Sequence, residues 1–474
     1  MNSPQKQSPP NTLHSEKNAA LFVASIASFL TPFMGSAINI ALPTIGIDFS
    51  TDAITLSWVA TSYLLAAAIF LIPFGRLADI HGRKKIFLYG IILFSIASLA
   101  CGFVPNITFL IAFRVIQAIG SAMIFSTGIA IITAVYPPKE RGKAMGIAVS
   151  AVYLGLSLGP FVGGLLTQYM SWRSIFFFVA FLGIIALYFV MSKLKNEWIE
   201  SKGEPFDWTG SAIYAAALFF IMSGFPKLPS VLGASFLLLG AILLFVFIFW
   251  ELKSEFPVLN LQLFKSNITF RYSNLAALIN YSATFAVAFL LSFYLQYFKA
   301  LSPKEAGFIL VSQPIVMTLF SPLAGRLSDK IEPRLISSAG MAISAIGLAL
   351  LSFISAETSL AHIVLVLTIL GLGFALFSSP NSNSIMSSVE RKHLGIASAT
   401  VGTMRLLGQM LSMGIAMMLF AYFIGQTKID NHNLPQLLAA LKMAFIVFAV
   451  LCFLGVFASL ARGKMHSLQP NKSA

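Results

Sequence analysis

The chain has 474 residues, of which 57% are hydrophobic and 10% are charged, and its formal net charge is +14. A soluble domain carries about 25% charged residues, so this composition excludes an ordinary soluble protein and predicts one embedded in a lipid bilayer. Most Lys and Arg residues lie in gaps between apolar runs, which is typical of membrane topology signals and argues against nucleic-acid binding.

The chain begins with a polar segment rich in Pro and Ser, MNSPQKQSPPNTLHSEK. The apolar run behind it is long and lacks a small-residue cleavage site, so the segment does not resemble a signal peptide. We expect residues 1–18 to form a short disordered cytoplasmic tail.

Apolar runs of about 20 residues are long enough to cross a bilayer as helices, and the chain contains fourteen of them. They lie near 19–42, 54–74, 86–104, 107–135, 144–168, 173–191, 209–224, 231–250, 268–297, 305–323, 335–354, 360–380, 395–425 and 437–461. We therefore predict an all-α membrane protein with an N-terminal six-helix bundle (19–191), cytoplasmic linkers with two inserted helices (192–267), a C-terminal six-helix bundle (268–461) and a cytoplasmic tail (462–474).

Most Lys and Arg residues in the gaps lie on the side of the membrane that both termini share. The positive-inside rule therefore places both termini in the cytoplasm. We expect a monomeric, multi-pass protein of a prokaryotic plasma membrane that contacts the lipid bilayer directly. The two cysteines, Cys101 and Cys452, each lie inside an apolar run, so neither a disulfide scaffold nor a metal site is expected.

Two short segments recur 250 residues apart. GRLADIHGRKK begins at Gly75 and GRLSDKIEPRL at Gly325, while ERGKAMGIA begins at Glu140 and ERKHLGIA at Glu390. Two matches at one spacing indicate an internal duplication of six spans, with spans seven and eight as an insert. Parallel repeats with a site between them are a known transporter plan.

Four motifs resemble those of the major facilitator superfamily, specifically its fourteen-helix drug:proton antiporter branch. GRLADIHGRKK is similar to the superfamily's loop motif, and LIAFRVIQAIGSA at 110–122 is similar to its fourth-helix motif. GLSLGPFVGG at 155–164 matches the fifth-helix motif of its exporters, and NIALP at 39–43 looks like the end of the branch's first-helix motif. The resemblance spans the whole chain. It implies an exporter of hydrophobic or amphiphilic drug-like compounds, coupled to protons and without a cofactor.

One departure from the family pattern bears on substrate charge. Alignment on NIALP places Met34 where this branch carries a membrane Asp, which the family uses for cation coupling or cationic substrates. This substitution makes neutral or anionic amphiphiles more attractive substrates than dications.

The loop motif contributes Gly75, Asp79, Gly82 and Arg83. The glycines permit a tight reversal between two helices, and the Asp79 charge favours a helix N-terminus. The resemblance implies that this loop latches the two halves together on the cytoplasmic side when the outside is open. The alternative is a simple topology anchor, which would explain the lysines but not an Asp echoed at Asp329.

The fifth-helix motif acts through its backbone. Pro160 removes a helix hydrogen bond and can kink the span, and the glycines allow another helix to approach closely. Ordinary small-residue packing is the alternative, although a kinked, flat-faced helix also suits rocking halves. The motif residues are Gly155, Gly159, Pro160, Gly163 and Gly164.

Two arginines lie deep within apolar spans. Arg114 is about 10 Å deep in span four,, where a charged side chain costs about 2.5–3.5 kcal/mol on insertion scales. It either snorkels outward or, as in the family, senses or steers proton movement. Arg405 lies near the middle of span thirteen. It either binds substrate or pairs with carbonyl groups at helix ends.

Further polar residues inside the spans either line the substrate cavity or hold helices together. Those that we assign to the cavity with Arg405 are Asn39, Gln117, Tyr153, Asn280, Gln313 and Asn381. Two polar segments instead read as helix caps: Ser302 with Glu305 form the S-x-x-E capping pattern, and Asp207 precedes span seven,.

These observations predict a secondary active exporter that works by alternating access. The alternatives are an exporter of a specific metabolite or lipid, and a transport-inactive sensor with the same fold. The sequence contains no phosphate-binding loop, metal cluster or nucleophile–base set, which argues against an enzyme or an ATP-driven pump.

Overall fold

The computed structural model describes residues 10–136, 138–194, 196–259, 261–328, 330–390, 394–430 and 432–463. Within these ranges, fourteen helical segments are long and apolar enough to cross a membrane, which confirms the predicted all-α membrane fold. We call the side at which α1 begins and the last span ends the tail face, and the other side the opposite face.

The helices follow the predicted spans closely. Their bounds are α1 Pro10–Asp48, α2 Ala53–His81, α3 Arg83–Gly102, α4 Ile107–Val135, α5 Pro138–Tyr169, α6 Arg173–Lys193, α7 Trp208–Gly224, α8 Val231–Lys253, α9 Gln262–Ser266, α10 Ile268–Thr284, α11 Ala286–Phe293, α12 Pro303–Leu310, α13 Ser312–Ser328, α14 Pro333–Leu351, α15 Leu360–Ser387, α16 Leu394–Phe423 and α17 Leu434–Leu460. A 3-10 turn follows α7 at Phe225–Lys227, and a π turn follows α11 at Tyr294–Phe298.

The predicted N-terminal tail is helical over most of its second half. Helix α1 begins at Pro10, so residues 10–18 are not a disordered tail. Lys17 forms an ion pair with Glu140 of α5 at 2.9 Å, and its carbonyl accepts a hydrogen bond from the Tyr136 hydroxyl. These contacts anchor the start of α1 to the neighbouring helices at the tail face.

Two spans that appear continuous in the sequence are interrupted. Span nine breaks at Phe285, and the backbone N–H of Ala286 donates to the Ser412 hydroxyl of α16 instead of remaining free. Span ten breaks at Val311. Pro314 lacks the N–H that would bond the carbonyl of Leu310 four residues earlier, so the helix cannot run through unperturbed,.

The 250-residue repeat extends to the helix bounds. Helix α2 at 53–81 corresponds to α12 and α13 at 303–328, and α3 at 83–102 corresponds to α14 at 333–351. The two copies therefore share an element order as well as two short motifs. Asp329, the echo of Asp79, lies outside the described residues.

The structure consists of two six-helix bundles, α1–α6 and α10–α17, with the extra spans α7 and α8 packed together at the side. The Tyr214 hydroxyl of α7 donates to the Ala68 carbonyl of α2. Phe225 packs against Gly414 of α16, where an added Cβ would lie 2.6 Å from the ring. The insert therefore touches both bundles.

The predicted cap of α7 is present, because the Gly210 N–H donates to Asp207 Oδ1 at 2.8 Å.

Candidate functional site

A cluster of aromatic and polar side chains surrounds Arg405 where the two bundles meet. The half-buried Arg405 guanidinium lies over the Phe125 ring of α4, 4.6 Å from its centroid. Such a cation–π contact stabilises the charge through the negative face of the ring. Arg405 belongs to the C-terminal bundle and Phe125 to the N-terminal bundle, so this contact spans the boundary between them.

Tyr281 of α10 connects Arg405 to the rest of the cluster. Its hydroxyl interacts with Arg405 and with Ser378, and its ring packs edge-on against Phe374 at 5.6 Å. The Tyr153 hydroxyl of α5 lies 3.3 Å from the Ser378 hydroxyl across the boundary. We call these residues the central cluster: Phe125, Tyr153, Tyr281, Phe374, Ser378 and Arg405.

The central cluster carries positive charge without a matching acid. Among the described residues, the ion pairs involve Lys17, Arg76, Arg83 and Arg173, and no carboxylate lies within ion-pair distance of Arg405. Aromatic rings, hydroxyl groups and one cation suit a ligand that combines a flat apolar body with an electron-rich or anionic edge. The sequence identified Tyr153 and Arg405 but not the aromatic partners, because phenylalanines are too abundant to single out.

Four other residues assigned to the cavity lie elsewhere or have no polar partner. Asn381 is buried in α15, donates to the Ser273 carbonyl and accepts from Arg462. Asn280 is fully buried, and neither amide atom has a hydrogen-bond partner among the described residues; the same holds for Asn39 Oδ1. Gln313 is partly buried in α13, and its carbonyl lies against Gly371. Their roles in transport stay predictions.

Arg114 does not reach outward toward the membrane surface. It is fully buried inside the N-terminal bundle, where Nε donates to the Val59 carbonyl at 3.0 Å and a terminal nitrogen donates to Gln117 Oε1 at 2.6 Å. Its guanidinium lies 4.1 Å from the centroid of the Tyr63 ring. Snorkelling is therefore not how this charge is accommodated.

Gln117 continues the Arg114 network to the neighbouring helix α3. Its Nε2 donates to the Ser98 hydroxyl of α3 at 2.7 Å, and the Tyr63 hydroxyl donates to Ser121 at 2.8 Å. Arg114 and Phe125 are eleven positions apart on α4, about 16 Å along the helix axis,. The two arginines therefore occupy separate sites, not one shared cavity.

The fifth-helix motif serves two different interfaces. An added Cβ would lie 2.5 Å from the Phe29 carbonyl at Gly155 and 2.9 Å from the Ala37 Cα at Gly163, and Gly159 likewise packs against Ser36. These three glycines admit α1 of the same bundle. Helix α5 remains α-helical through Pro160.

The remaining part of the motif contacts the other bundle near the opposite face. An added Cβ at Gly164 would lie 2.6 Å from the Pro303 carbonyl oxygen, and one at Gly307 would clash with the Pro160 carbonyl oxygen. Here α5 and α12 touch backbone to backbone, which side chains larger than hydrogen would prevent.

Hydrogen bonds also join the bundles at the opposite face. Gln296 Nε2 donates to the Ile40 carbonyl at 3.0 Å, and Lys304 Nζ donates to the Tyr169 hydroxyl at 2.9 Å. The Ala53 N–H donates to the Thr427 carbonyl. The bundles are thus in direct contact at the opposite face.

The predicted capping box is also present here, with Ser302 and Glu305 bonding reciprocally.

The loop motif at 75–85 differs from its predicted geometry. Gly75 lies inside α2 and makes no turn, whereas Gly82 makes the reversal with φ +116°. Asp79 lies in the last turn of α2, not at the start of α3, and pairs with Arg83 one turn later at 2.9 Å. A negative charge is favourable at a helix C-terminus only when a cation offsets it, and Arg83 provides that cation.

One buried arginine escaped the sequence analysis, which placed it in the C-terminal tail. Arg462 is fully buried just beyond α17, where it donates to Asn381 Oδ1 at 2.9 Å and to the Ser459 carbonyl at 2.8 Å. Burial lowers the pKa of this guanidinium. In the sequence, Arg462 follows the last apolar run and does not lie inside it. Only its packing against α15 shows that it is buried.

The model of the Major Facilitator Superfamily matches residues 24–271 and 273–474. The riboflavin transporter RibZ of Clostridioides difficile is 31% identical over 449 residues, covering 93% of this chain and 96% of that protein. The multidrug resistance protein Stp of Mycobacterium tuberculosis is 28% identical over 414 residues, covering 86% of this chain and 76% of that protein.

A solved structure shares the fold. It is a bacterial homologue of the human lysosomal transporter Spinster in an inward-facing, unoccupied conformation, and it aligns with a TM-score of 0.64 at 20% identity. The alignment covers 96% of this chain and 98% of that one.

Proposed function

This chain belongs to the Major Facilitator Superfamily, and from that premise we propose that it is a secondary active exporter of hydrophobic or amphiphilic compounds. The two bundles would rock about the central cluster, exposing it to one side of the membrane at a time. Both termini would lie in the cytoplasm of a prokaryotic cell, as the distribution of Lys and Arg predicts.

The observation that carries the proposal is Arg405 at the boundary between the bundles. Its charge is stabilised by the Phe125 ring and by neighbouring hydroxyl groups, with no carboxylate in ion-pair distance among the described residues. A ligand with an anionic or carbonyl-rich edge could replace these weak contacts with a stronger one. We infer that neutral and anionic planar amphiphiles are preferred over dications.

Two features support export over uptake. The complete fifth-helix motif places Pro160 and Gly164 against α12, where the bundles close the opposite face. Relatives include a multidrug resistance protein that is 28% identical over 414 residues. When α5 and α12 pack closely at the opposite face, substrate can enter the central cluster from the tail face. This order of events suits an exporter.

We also propose that protons drive the cycle. A coupling ion must bind the two states with different affinity, and the branch acid is replaced by the fully buried Met34. Arg114 is the candidate coupling residue. Its network links α2, α3 and α4 through Val59, Ser98 and Gln117, so a change in its hydrogen bonds would be felt across the N-terminal bundle.

The test is transport of anionic, neutral and dicationic amphiphiles in proteoliposomes, with and without an imposed pH gradient. Arg405→Ala should weaken the binding of anionic ligands by about 10- to 150-fold, because a charge-assisted hydrogen bond contributes about 1.5–3 kcal/mol, and should leave the binding of neutral ligands nearly unchanged. Arg114→Ala should reduce the dependence on the pH gradient for every substrate.

Arg271→Ala is the matched control, since Arg271 is exposed on α10 and its guanidinium lies over the ring of the neighbouring Tyr272. It should behave as the wild type. Equal affinities for anionic and neutral ligands before and after Arg405→Ala would remove Arg405 from the substrate site. Absence of flux for all compounds under every gradient would favour a transport-inactive sensor.

A second candidate is transport of one specific planar metabolite. The 31% identity to a riboflavin transporter over nearly the whole of both chains favours it. Including riboflavin among the tested compounds separates the two candidates. Saturable flux of riboflavin alone would identify a dedicated carrier, whereas competition among unrelated amphiphiles would identify a multidrug exporter.

A further inference from the structure

Residues 197–204 run along the loop motif at the tail face. This segment follows α6 and contains Glu197, Glu200 and Glu204, and we call it the acidic strap. It contacts the loop at 75–85 through its backbone and through each of the three carboxylates. The loop joins α2 and α3, whereas the strap joins α6 to α7, so more than a hundred residues separate them in the sequence.

Glu197 supplies the cap that α3 lacks. The residue before α3 is Gly82, which has no side chain to accept from the first N–H groups. Glu197 Oε1 accepts from the Lys84 N–H at 2.8 Å, and Oε2 accepts from the Lys85 N–H at 3.1 Å. A carboxylate at this position satisfies free donors and interacts favourably with the helix dipole.

Gly82 also makes room for the strap. An added Cβ at Gly82 would lie 2.5 Å from the Glu197 carboxyl carbon, and its φ of +116° disfavours other residues. The glycine therefore serves the reversal and the docking of Glu197 at once.

Backbone bonds and ion pairs complete the contact. The Arg83 N–H donates to the Trp198 carbonyl at 3.0 Å, and the Ser201 N–H donates to the Asp79 carbonyl at 2.9 Å. Arg83 pairs with Glu200 at 2.6 Å, and Arg76 pairs with Glu204. The two arginines of the loop motif, Arg76 and Arg83, are thus paired with carboxylates of the strap.

The far end of the strap leads to both bundles. It continues into α7, which is held on α2 through Tyr214 and Ala68. The turn after α7 places Phe225 against Gly414 of α16. Movement of α16 relative to α2 would therefore pull on the strap.

We propose that the acidic strap is a clasp that stabilises the state described here, in which the opposite face is closed, and that its ion pairs to Arg76 and Arg83 must open when the bundles rock. This inference rests on the proposed alternating access. The Arg83 guanidinium cannot pair with Glu200 of the strap and with the other bundle through the same atoms, so the strap and the latch are alternative partners of one loop.

The test measures distances between spin labels on the full-length protein in lipid nanodiscs. One label pair replaces the exposed residues Phe103 and Phe353 at the opposite face, and the other replaces Lys193 and Lys330 at the tail face. The native Cys101 and Cys452 are buried and should not be labelled.

Glu200→Gln and Glu204→Gln should each shift the ratio of opposite-closed to opposite-open protein about two- to fivefold toward the open state, as expected for loss of a partly exposed ion pair. Raising the salt concentration should shift the ratio of the wild type in the same direction. The shift should be smaller in the variant that combines Glu200→Gln with Glu204→Gln, because its ion pairs are already lost. Glu255→Gln is the matched control, because Glu255 is an exposed tail-face glutamate outside the strap.

A charge exchange separates the clasp from a merely structural role. Glu204→Arg should shift the ratio toward the open state, and Glu204→Arg combined with Arg76→Glu should return it toward the wild-type value. Glutamine variants and a single Glu204→Arg variant that all keep the wild-type ratio would overturn the clasp alone. A wild-type protein with one fixed distance under every substrate and pH condition would overturn alternating access, and the clasp with it.

Discussion

The contact between Gly164 and α12 makes a sharp prediction about how the bundles move. In the Gly164→Ala variant, the new Cβ would lie 2.6 Å from the Pro303 carbonyl oxygen and 3.2 Å from the Lys304 Cα. Carbon and oxygen atoms do not approach this closely without a bond. Since both neighbours are backbone, α5 and α12 must separate by several tenths of an ångström.

The expected magnitude follows from the position of the clash. Overpacking of this kind costs about 1–3 kcal/mol. The contact joins the two bundles, so the penalty falls on the state in which the opposite face is closed and vanishes when that face opens. The ratio of closed to open protein should therefore fall by about 5- to 150-fold.

Gly163→Ala is the matched control from the neighbouring position. Its Cβ would lie 2.9 Å from the Ala37 Cα of α1, within the same bundle. This variant should lower the temperature of thermal unfolding and leave the ratio of conformations unchanged.

Spin labels in place of Phe103 and Phe353 report the separation of the bundles at the opposite face in nanodiscs. Gly164→Ala should increase the long-distance population, and Gly307→Ala should do so from the other side of the contact. The reasoning is refuted if Gly164→Ala keeps the wild-type distances, or if Gly163→Ala shifts them equally.

Two further substitutions test the tail face. Asp79→Asn removes the carboxylate that pairs with Arg83 at 2.9 Å and should reduce flux about fivefold, the size of a roughly 1 kcal/mol ion pair. Its expression should stay normal because the positive charges that set topology remain; unchanged flux at equal expression would contradict it. Glu251→Gln removes a buried charge that faces Asp207 across Gly210 and whose Oε1 has no hydrogen-bond partner among the described residues. It should raise the midpoint of thermal unfolding by about 1–3 °C, measured by tryptophan fluorescence, whereas a lower midpoint would mean that the charge itself stabilises the insert.

The sequence alone was sufficient to predict the membrane fold. Insertion of a helix depends on the summed hydrophobicity of about 20 consecutive residues, and that sum can be read locally. The predicted fourteen spans, the caps at Ser302 and Asp207 and the reversal at Gly82 are therefore present. The predicted disordered tail was wrong over residues 10–18, because contacts of Lys17 with α5 and Tyr136 extend α1 beyond its apolar part.

The sequence also selected chemically relevant residues without revealing their partners. Arg114 and Arg405 stood out because charge inside an apolar run is costly. Their environments differ, however: Arg114 is enclosed by Val59, Gln117 and Tyr63 within one bundle, and Arg405 meets Phe125 of the other bundle. These partners come from other helices, and no local pattern encodes the rotation that brings them together.

What the sequence determined by itself was which segments enter the membrane and where charge or glycine interrupts them, since both follow from the composition of a single helix. Only the tertiary structure decided that Gly163 faces α1 while Gly164 faces α12, and that Glu197 caps α3. Neighbouring residues on a helix point about 100° apart, so their partners depend on how whole helices are placed around them.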